Sequence, residues 1–415
     1  MAVKVLLFEI TVPNRYSGSN GVLAGWQDSL ENIILTMPDV ELFVAFETHN
    51  SNDKKKVVNG ITYIPMFYSL SFWDKISSKI TWHAIERESV NRALSVIQLV
   101  KPDLIHIFGC EWPFGLVAKY ITIPVVIHIQ GSIIPYDNAL YPPKYNIWNY
   151  VKALNLNLPR ILFAKMTELN NRKRADLERR VWNSVSLYMG RTQWDKALAN
   201  LMHPQCLYYH VDESLRPQFF SSLYGWKGRN PGKVCLFTTG CTTFWKGPDM
   251  MLKTAKVLKS IGFDFQWEVA GHFPSTLKKV VENTEKARFC ENNINFIGPL
   301  QPEELAKKLS ETTIYVHTAY IENSPNSICE AQSLGVPVIS TNVGGISTLL
   351  NNGELGVLVP ANDPWQMANA IIQLSSDEDK LEAFSQKGRV VARERHSEQN
   401  IKNQLWHCYK DILRI

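Results

Sequence analysis

What this sequence lacks excludes several protein classes. Its apolar runs are only long enough for strands, so no transmembrane helix is expected. The seven cysteines are scattered and form no C-x-x-C pair, which indicates a reducing compartment and argues against a disulfide framework and structural zinc. Glu9 and Pro13 interrupt the first apolar run too early for a signal peptide, so we expect a cytoplasmic protein.

Strong charge of one sign is also missing. A net charge of +5 allows an anionic ligand or a membrane surface as a partner, but it does not require nucleic acid, and we expect none. The 415 residues, of which 45% are apolar and 20% charged, are typical of a globular protein that is too long for one ordinary core. The length therefore predicts two domains.

Strand and helix patterns alternate along both halves of the chain. Apolar runs that favour strands lie at 3–8, 41–46, 61–66, 104–108, 125–130 and 187–191, and then at 233–239, 263–271, 294–298, 313–318, 336–341 and 356–359. Helical stretches between several of them indicate parallel sheets covered on both faces. Gly and Pro residues break the pattern at about 211–230. We therefore predict an α/β protein with two Rossmann-like lobes, a linker and a cleft between the lobes.

A long insertion, about 133–185, separates the fifth and sixth expected strands. Its first part is aromatic and apolar, and its second part is basic, with Arg172, Lys173 and Arg174 in a row. Two or three helices are expected in this segment. They could simply cover the sheet with a solvated charged face, or they could touch an anionic membrane or a lipid-linked acceptor.

Two carboxylates flank the start of an expected helix in the second half. Glu322 follows the apolar strand 313–318, turn-forming residues occupy 323–326, and Glu330 lies in the helix that Gly335 ends. The carboxyl ends of parallel strands are where open α/β sheets bind ligands, and free N–H groups at a helix start favour phosphate. The pattern therefore indicates a binding site.

A helix cap offers a simpler explanation for part of this stretch. Ser327 and Glu330 have the spacing of a capping box, and Ser324 could instead cap a helix that begins at Pro325. Either cap would explain Glu330. Neither explains Glu322 or the pair Gly344-Gly345 after the next strand.

Other loops at expected strand ends carry candidate ligands. Gly240 and Lys246 follow the strand at 233–239, where a lysine can neutralise a pyrophosphate, although most lysines are ordinary surface residues. Ile297 lies beside Phe296 at another strand end. Core packing explains Phe296 as well as a contact with a ligand does.

The first half of the chain offers weaker candidates. Gly18 and Gly21 lie in a glycine-rich loop that would let a ligand approach closely, but the loop has no phosphate-binding fingerprint and could be an ordinary loop. Gln130 and His128 end one strand and share a face. Glutamine cannot act as a general base but can bond a sugar hydroxyl, and a lone strand histidine is more often structural.

Together these motifs resemble the retaining GT-B glycosyltransferases of family 4, the glycosyl transferases group 1 type. The resemblance rests on two glutamates eight residues apart, the polar and proline segment between them, the run E-A-x-x-x-G-x-P-V and the following Gly-Gly loop. It is strongest over about 233–360. It implies a GT-B fold with an acceptor-binding lobe at 1–215, a nucleotide-sugar-binding lobe at 216–395 and a C-terminal helix at 396–415 that packs on the first lobe.

The resemblance also implies roles for individual residues. The catalytic residues would be Glu322 beside the reacting sugar, Lys246 at the leaving diphosphate and Gln130 on a sugar hydroxyl. The remaining donor-site residues would be Glu330 on the ribose together with Asn323, Ser324, Pro325, Asn326, Ser327, Gly240, Ile297, Gly18 and Gly21. The chain departs from the family at Cys241, where a cation is usual, and at Gln130, where many members have histidine.

The implied reaction is hexosyl transfer with retention from a UDP- or GDP-linked sugar to a hydroxyl of a glycan or lipid-linked acceptor in polysaccharide biosynthesis. No cofactor or metal is expected. Peripheral contact with the inner membrane face is expected. Two alternatives remain: a GT-B nucleotide-sugar epimerase, which needs no acceptor, and an inactive sugar-nucleotide-binding protein. Dinucleotide binding is excluded because neither first βα turn carries the glycine fingerprint.

Overall fold

A computed structural model describes residues 2–18, 25–78, 81–155, 157–229 and 232–415. The chain divides into two compact units, which are Met1–Ile134 with Asn170–Ser214 and Arg395–Ile415, and Pro135–Leu169 with Leu215–Glu394. The sequence prediction kept the whole insertion in the first domain, whereas the structure assigns Pro135–Leu169 to the second unit.

The helices of the described chain follow one another in this order: α1 Asn14–Ser17, α2 Gly25–Leu35, α3 Phe72–Ser78, α4 His83–Val100, α5 Ile133–Asn138, α6 Ile147–Ala153, α7 Leu158–Trp182, α8 Gln193–Met202, α9 Pro248–Ser260, α10 Ser275–Glu285, α11 Pro302–Ser310, α12 Asn326–Leu334, α13 Ile346–Leu349, α14 Pro364–Ser376, α15 Glu378–Arg395 and α16 Glu398–Leu413. Short 3₁₀ turns lie among them, including Pro113–Lys119 and Phe244–Lys246.

The first unit contains an eight-stranded sheet in the order β3-β4-β2-β1-β5-β6-β7-β8. Neighbouring strands are parallel, apart from β3 and β4, which are antiparallel. The strands are β1 Val3–Glu9, β2 Val40–Thr48, β3 Lys56–Val58, β4 Ile61–Phe67, β5 Leu104–Phe108, β6 Val125–His128, β7 Leu187–Gly190 and β8 Leu207–His210. Most residues of β1, β5 and β6 are buried, as the continuous apolar runs predict.

Helix α16 belongs to the core of the first unit. Its buried side chains Ile401, Leu405, Cys408 and Tyr409 recur at helical spacing and pack with residues of β1 and β2. The Tyr409 hydroxyl lies 2.7 Å from Nδ1 of His106 on β5. The C-terminal helix is therefore fixed to the first unit by apolar packing and a buried polar contact.

The second unit contains a six-stranded parallel sheet in the order β11-β10-β9-β12-β13-β14. The strands are β9 Val234–Thr239, β10 Phe265–Ala270, β11 Ile294–Gly298, β12 Ile314–His317, β13 Val338–Thr341 and β14 Val357–Val359. The aromatic part of the insertion joins this unit, because Tyr141, Tyr145 and Tyr150 pack around Phe244.

Three short elements differ from the sequence prediction. The strands β3 and β8 and the helix α3 at residues 72–78 were not among the predicted elements. Both missed strands lie at sheet edges, and each is at most four residues long, with few buried side chains. Edge strands bury little, so they lack the apolar pattern that reveals interior strands. Over the described ranges, none of the helices combines the length and apolar character needed to cross a bilayer.

Candidate functional site

Three loops lie side by side at the carboxyl edge of the second sheet. The N–H of Gly240, after β9, donates to the carbonyl of Ala270 at 2.9 Å, and that of Gly271, after β10, donates to Gly298 at 2.8 Å. Gly240 has a φ of 75°, and a Cβ added there would meet no atom within 4 Å. The backbone at this edge therefore borders open space, as phosphate or sugar binding requires.

The charged centre of this edge is an ion pair between Lys246 and Glu322. The Lys246 ammonium donates to the Glu322 carboxylate, whose side chain is 7% exposed, and Nε2 of His317 lies 3.3 Å from the same oxygen. Burial alone would raise the pKa of Glu322, but Lys246 and His317 lower that pKa to about 2. Glu322 is therefore ionised at neutral pH.

Backbone contacts fix the position of Lys246. The turn Phe244–Lys246 binds the chain that follows β12, because Thr318 Oγ1 donates to the Lys246 carbonyl at 3.0 Å and the Tyr320 N–H donates to Trp245 at 2.7 Å. A Cβ on Gly247 would lie 1.9 Å from the Thr318 carbonyl oxygen. Only glycine fits there, so the glycine after Lys246 holds the lysine beside Glu322.

The pair Gly344-Gly345 fixes Glu322 from the other side. Gly344 has a φ of 53°, and a Cβ there would lie 1.7 Å from the Glu322 carbonyl oxygen. The Gly345 N–H donates to this carbonyl at 3.1 Å. Close packing against Glu322 thus explains the glycine at 344, which the sequence alone did not reveal.

Residues 323–327 lead from Glu322 into α12. Ser324 and Pro325 are buried, and Asn326 and Ser327 begin the helix half-buried. The Asn323 side chain is buried, and neither of its amide atoms has a hydrogen-bond partner in the described structure. An unsatisfied buried amide next to an ionised carboxylate is a natural place for a ligand to supply the missing bonds.

The capping predictions for α12 are wrong. Pro325 occupies the N-cap position and makes no side-chain cap hydrogen bond. Glu330 instead accepts hydrogen bonds from Arg216 Nε at 3.1 Å and from a terminal guanidinium nitrogen at 2.6 Å. Burial raises the pKa of Glu330, and the Arg216 guanidinium opposes this in part. Arg216 was not expected, because it lies in the linker region and its partner is distant in sequence.

Cys241 and Ile297 lie at the same edge without adding charge. Cys241 is buried in the core of the second unit, and burial raises the pKa of its thiol to about 12, so the thiol is neutral. Ile297 is half-buried in β11. Its neighbour Phe296 stacks on Phe273, with ring centroids 4.4 Å apart, which gives this phenylalanine a packing role.

Gln130 lies in the first unit, after β6. Its side-chain nitrogen is buried without a hydrogen-bond partner among the described residues, while its carbonyl accepts from Arg191 at 3.4 Å. Gly109 adjoins it, and a Cβ there would lie 3.9 Å from the Gln130 Cβ and 2.2 Å from the Glu111 carboxylate. Burial and the nearby Glu178 raise the pKa of Glu111 to about 7. Glu111 is thus a neighbouring acid that the sequence pattern did not single out.

The remaining candidates of the first unit have structural explanations or lie outside the structure. Gly18 is exposed and ends α1 with a φ of 70°, which accounts for its glycine. Gly21 lies outside the described residues. His128 is buried, and burial lowers its pKa, so its ring is neutral. Within the described ranges, no cluster of three His, Cys, Asp or Glu side chains could hold a metal ion.

Residues 227–391 match the family model described as glycosyl transferases group 1. A D-inositol 3-phosphate glycosyltransferase of Corynebacterium urealyticum is 29% identical over 172 residues, which cover 40% of each chain. A capsular polysaccharide biosynthesis glycosyltransferase, CapM, of Staphylococcus aureus is 27% identical over 169 residues, covering 41% of this chain and 44% of the relative. The chain therefore matches less than half the length of these curated relatives.

A solved structure extends the likeness to the whole chain. The Anabaena protein Alr3699/HepE, in complex with UDP-glucose, superposes with a TM-score of 0.62 and 14% identity, over 98% of this chain and 99% of its own. At this identity the likeness concerns the fold alone. With its two parallel-sheet lobes, the chain has the GT-B fold.

Proposed function

We propose that this protein is a retaining, metal-independent glycosyltransferase that moves a hexosyl group from a nucleotide-diphosphate sugar to a hydroxyl of a glycan or lipid-linked acceptor in polysaccharide biosynthesis. The Lys246–Glu322 pair at the carboxyl edge of the second sheet carries this proposal. The group 1 match over 227–391 and the names of the relatives support it, as does UDP-glucose in a protein of the same fold.

The leaving diphosphate would be held by positive charge and backbone dipoles. Lys246 supplies the cation, and the N-terminus of α12 adds partial positive charge. Stabilising the charge that develops on a leaving group is often the largest catalytic effect, and one well-aimed donor contributes about 3 kcal/mol. A bound diphosphate would share the Lys246 ammonium with Glu322.

The sugar would bind next to Glu322 and Asn323. An ionised carboxylate accepts hydrogen bonds from sugar hydroxyls and stabilises an adjacent oxocarbenium-like centre. Because the pKa of Glu322 is about 2, this carboxylate stays charged throughout the neutral range. The amide of Asn323 offers both a donor and an acceptor to the same hydroxyls.

The nucleoside would bind further along the same edge. The Glu330 carboxylate accepts from the two ribose hydroxyls while Arg216 keeps the carboxylate oriented. The backbone at Ile297 would border the base, and the opening at Gly240 would admit the phosphates. We favour UDP over GDP, because the HepE complex contains a uridine nucleotide.

The transfer step needs no protein base in this proposal. The acceptor oxygen forms the new bond to the anomeric carbon, the bond from that carbon to the phosphate oxygen breaks, and the released phosphate oxygen takes the acceptor proton. Gln130 would bond a sugar hydroxyl through its amide nitrogen, which has no partner among the described residues. In this proposal the protein is cytoplasmic and works at the inner membrane face.

A donor screen tests the proposal. The protein is incubated with a panel of UDP- and GDP-sugars, with and without membrane lipid and glycan acceptors, and release of the nucleoside diphosphate is measured. Release that requires an acceptor, and that falls in the Glu322→Gln variant, is the expected result. Conversion of a donor to another nucleotide sugar without acceptor would show an epimerase. Donor binding without any reaction would show an inactive binding protein.

A further inference from the structure

The carboxyl ends of β5 and β6 bring an acid and an amide together in the first unit. Gly109, which follows β5, has a φ of 78°, and a Cβ added there would strike the Glu111 carboxylate and lie 3.9 Å from the Gln130 Cβ. The Glu111 carboxylate therefore lies near Gln130, whose side-chain nitrogen has no partner among the described residues. Both residues are half-buried, so each keeps surface that a ligand can reach.

The two acids of this region, Glu178 and Glu111, differ in how far their hydrogen bonding is satisfied. Glu178 is buried, and its carboxylate accepts from the N–H groups of Ile133 at 3.1 Å and Ile134 at 2.9 Å and from the Cys110 thiol at 3.0 Å. The Glu111 carboxylate accepts only from the backbone N–H groups of Cys110 and Glu111 in the part of the chain that the structure describes. Because a carboxylate has about four lone-pair sites, Glu111 can still accept hydrogen bonds from a ligand.

The charges around Glu111 disfavour an anionic ligand. Arg174 interacts with both Glu111 and Glu178, so one guanidinium group balances two carboxylates. Arg191, the other arginine near this site, is buried in an ion pair with Glu213. Phosphate binding needs cations that are not already matched by carboxylates, and neither arginine meets that need. A hydroxyl group carries no charge and simply donates to the carboxylate.

We propose that Glu111, together with the Gln130 amide, binds the acceptor sugar through its hydroxyl groups and selects uncharged saccharides over phosphorylated ones. This inference rests on the proposed function, because it requires an acceptor that binds the first unit. The Glu111 carboxylate accepts hydrogen bonds from sugar hydroxyls, and the Gln130 amide nitrogen donates to a hydroxyl oxygen. A phosphate group in the same place would be repelled by the carboxylate.

Saturation-transfer NMR on the full-length protein tests this selection without any turnover. The probes are glucose, galactose and mannose, each compared with its 6-phosphate, at pH 8, where Glu111 is ionised because its pKa is about 7. The wild type should bind at least one of the three sugars, and should bind its 6-phosphate at least about tenfold more weakly. Failure to bind any of the three sugars, or equal binding of each sugar and its phosphate, would overturn the inference.

Two matched variants locate the selection at Glu111. We expect Glu111→Gln to bind the neutral sugar at least about tenfold more weakly, because hydrogen bonds to a charged group become neutral ones, and to lose the preference over the 6-phosphate. Glu41→Gln removes an exposed carboxylate at the start of β2, at the opposite edge of the same sheet, and should bind like the wild type. The same affinities in Glu111→Gln as in Glu41→Gln would overturn the inference.

Kinetics separate this inference from the proposed function. With the donor and acceptor that the donor screen identifies, Glu111→Gln should raise the KM for the acceptor at least about tenfold and leave the KM for the nucleotide sugar unchanged. An increase in both KM values, or a lower melting temperature than that of Glu41→Gln, would show a structural role and overturn the inference. An absence of nucleotide-sugar turnover in the wild type, with the sugar selection intact, would contradict the proposed function alone.

Discussion

The carboxyl edges of the two sheets differ in how their polar groups are paired. At the second sheet, Lys246 is bound to Glu322 and Arg216 to Glu330, and glycines pack against the backbone on both sides of the first pair. At the first sheet, Gln130 presents a neutral amide whose nitrogen lacks a partner in the described structure. In our proposal the charges that hold a diphosphate therefore lie in the second unit, whereas Gln130 of the first unit, with Glu111 and Arg191 nearby, offers a neutral hydrogen bond.

The largest expected effect on turnover comes from replacing Lys246, at the carboxyl edge of the second sheet. We expect Lys246→Met to lower turnover of the nucleotide sugar by roughly 10²–10³, as loss of an aimed donor does. Lys227→Met is a matched control, because Lys227 belongs to the same unit and forms an exposed pair with Glu311 at 3.0 Å. Initial rates of diphosphate release measure both. Similar rates in the two variants would show that Lys246 does not face the leaving group.

Replacing Gly344 tests whether close packing at the carboxyl edge of the second sheet stabilises the protein. We expect Gly344→Ala to lower the free energy of unfolding by about 3 kcal/mol, because its Cβ would strike the Glu322 carbonyl at a positive φ. The control Gly262→Ala also has a positive φ, of 73°, but no atom within 4 Å, and should cost only about 1 kcal/mol. Urea denaturation gives both values. Equal losses would show that the contact with Glu322 is unimportant.

Glu322 and Glu330, at the carboxyl edge of the second sheet, should have opposite effects on how stability depends on pH. The pKa of Glu322 is lowered from 4.5 to about 2, so its charge contributes stability above pH 4.5 that is lost as the pH falls toward 2. This corresponds to about 3 kcal/mol. The pKa of Glu330 is raised by burial, so protonation of this carboxyl in acid stabilises the folded state relative to the unfolded state. In acid unfolding titrations, Glu322→Gln should therefore flatten the loss of stability, and Glu330→Gln should make it steeper.

The smallest expected effect is at Gln130. Because the side-chain nitrogen of Gln130 has no partner in the described part of the chain, Gln130→Ala removes no hydrogen bond of that nitrogen and should change stability by less than about 1 kcal/mol. Turnover should fall by no more than about tenfold, the value of one neutral hydrogen bond. A loss as large as that of Lys246→Met would erase the contrast between the two edges and make Gln130 a central catalytic group.

Local patterns predicted much of the fold. The strands Leu104–Phe108 and Ile294–Gly298 have the bounds that the sequence indicated, because continuous apolar residues mark them, and the helix Glu398–Leu413 lies within the expected range 396–415. The edge strands β3 and β8 were missed because they bury few side chains. Assignment of Pro135–Leu169 to the second unit depends on packing around Phe244, which no local pattern reveals.

The site was predictable only where its residues are close in sequence. Glu322 and Glu330 stood out by their spacing and by the turn residues between them. Arg216 did not, because it meets Glu330 across 114 positions of the chain. The close approach of Gly344 to the Glu322 carbonyl is likewise a tertiary contact. Sequence spacing revealed the candidate ligands, whereas the groups that hold them in place were recognised only from the structure.

Calorimetric titration with UDP and GDP tests most directly whether the second edge binds a nucleoside diphosphate. The wild type and the Lys227→Met control should bind one of the two with equal affinity, and Lys246→Met should bind it at least about tenfold more weakly, since a charge-assisted bond to phosphate is worth about 1.5–3 kcal/mol. The same affinity in Lys246→Met as in the wild type, or no binding of either nucleotide to the wild type, would contradict the assignment of this edge as the donor site.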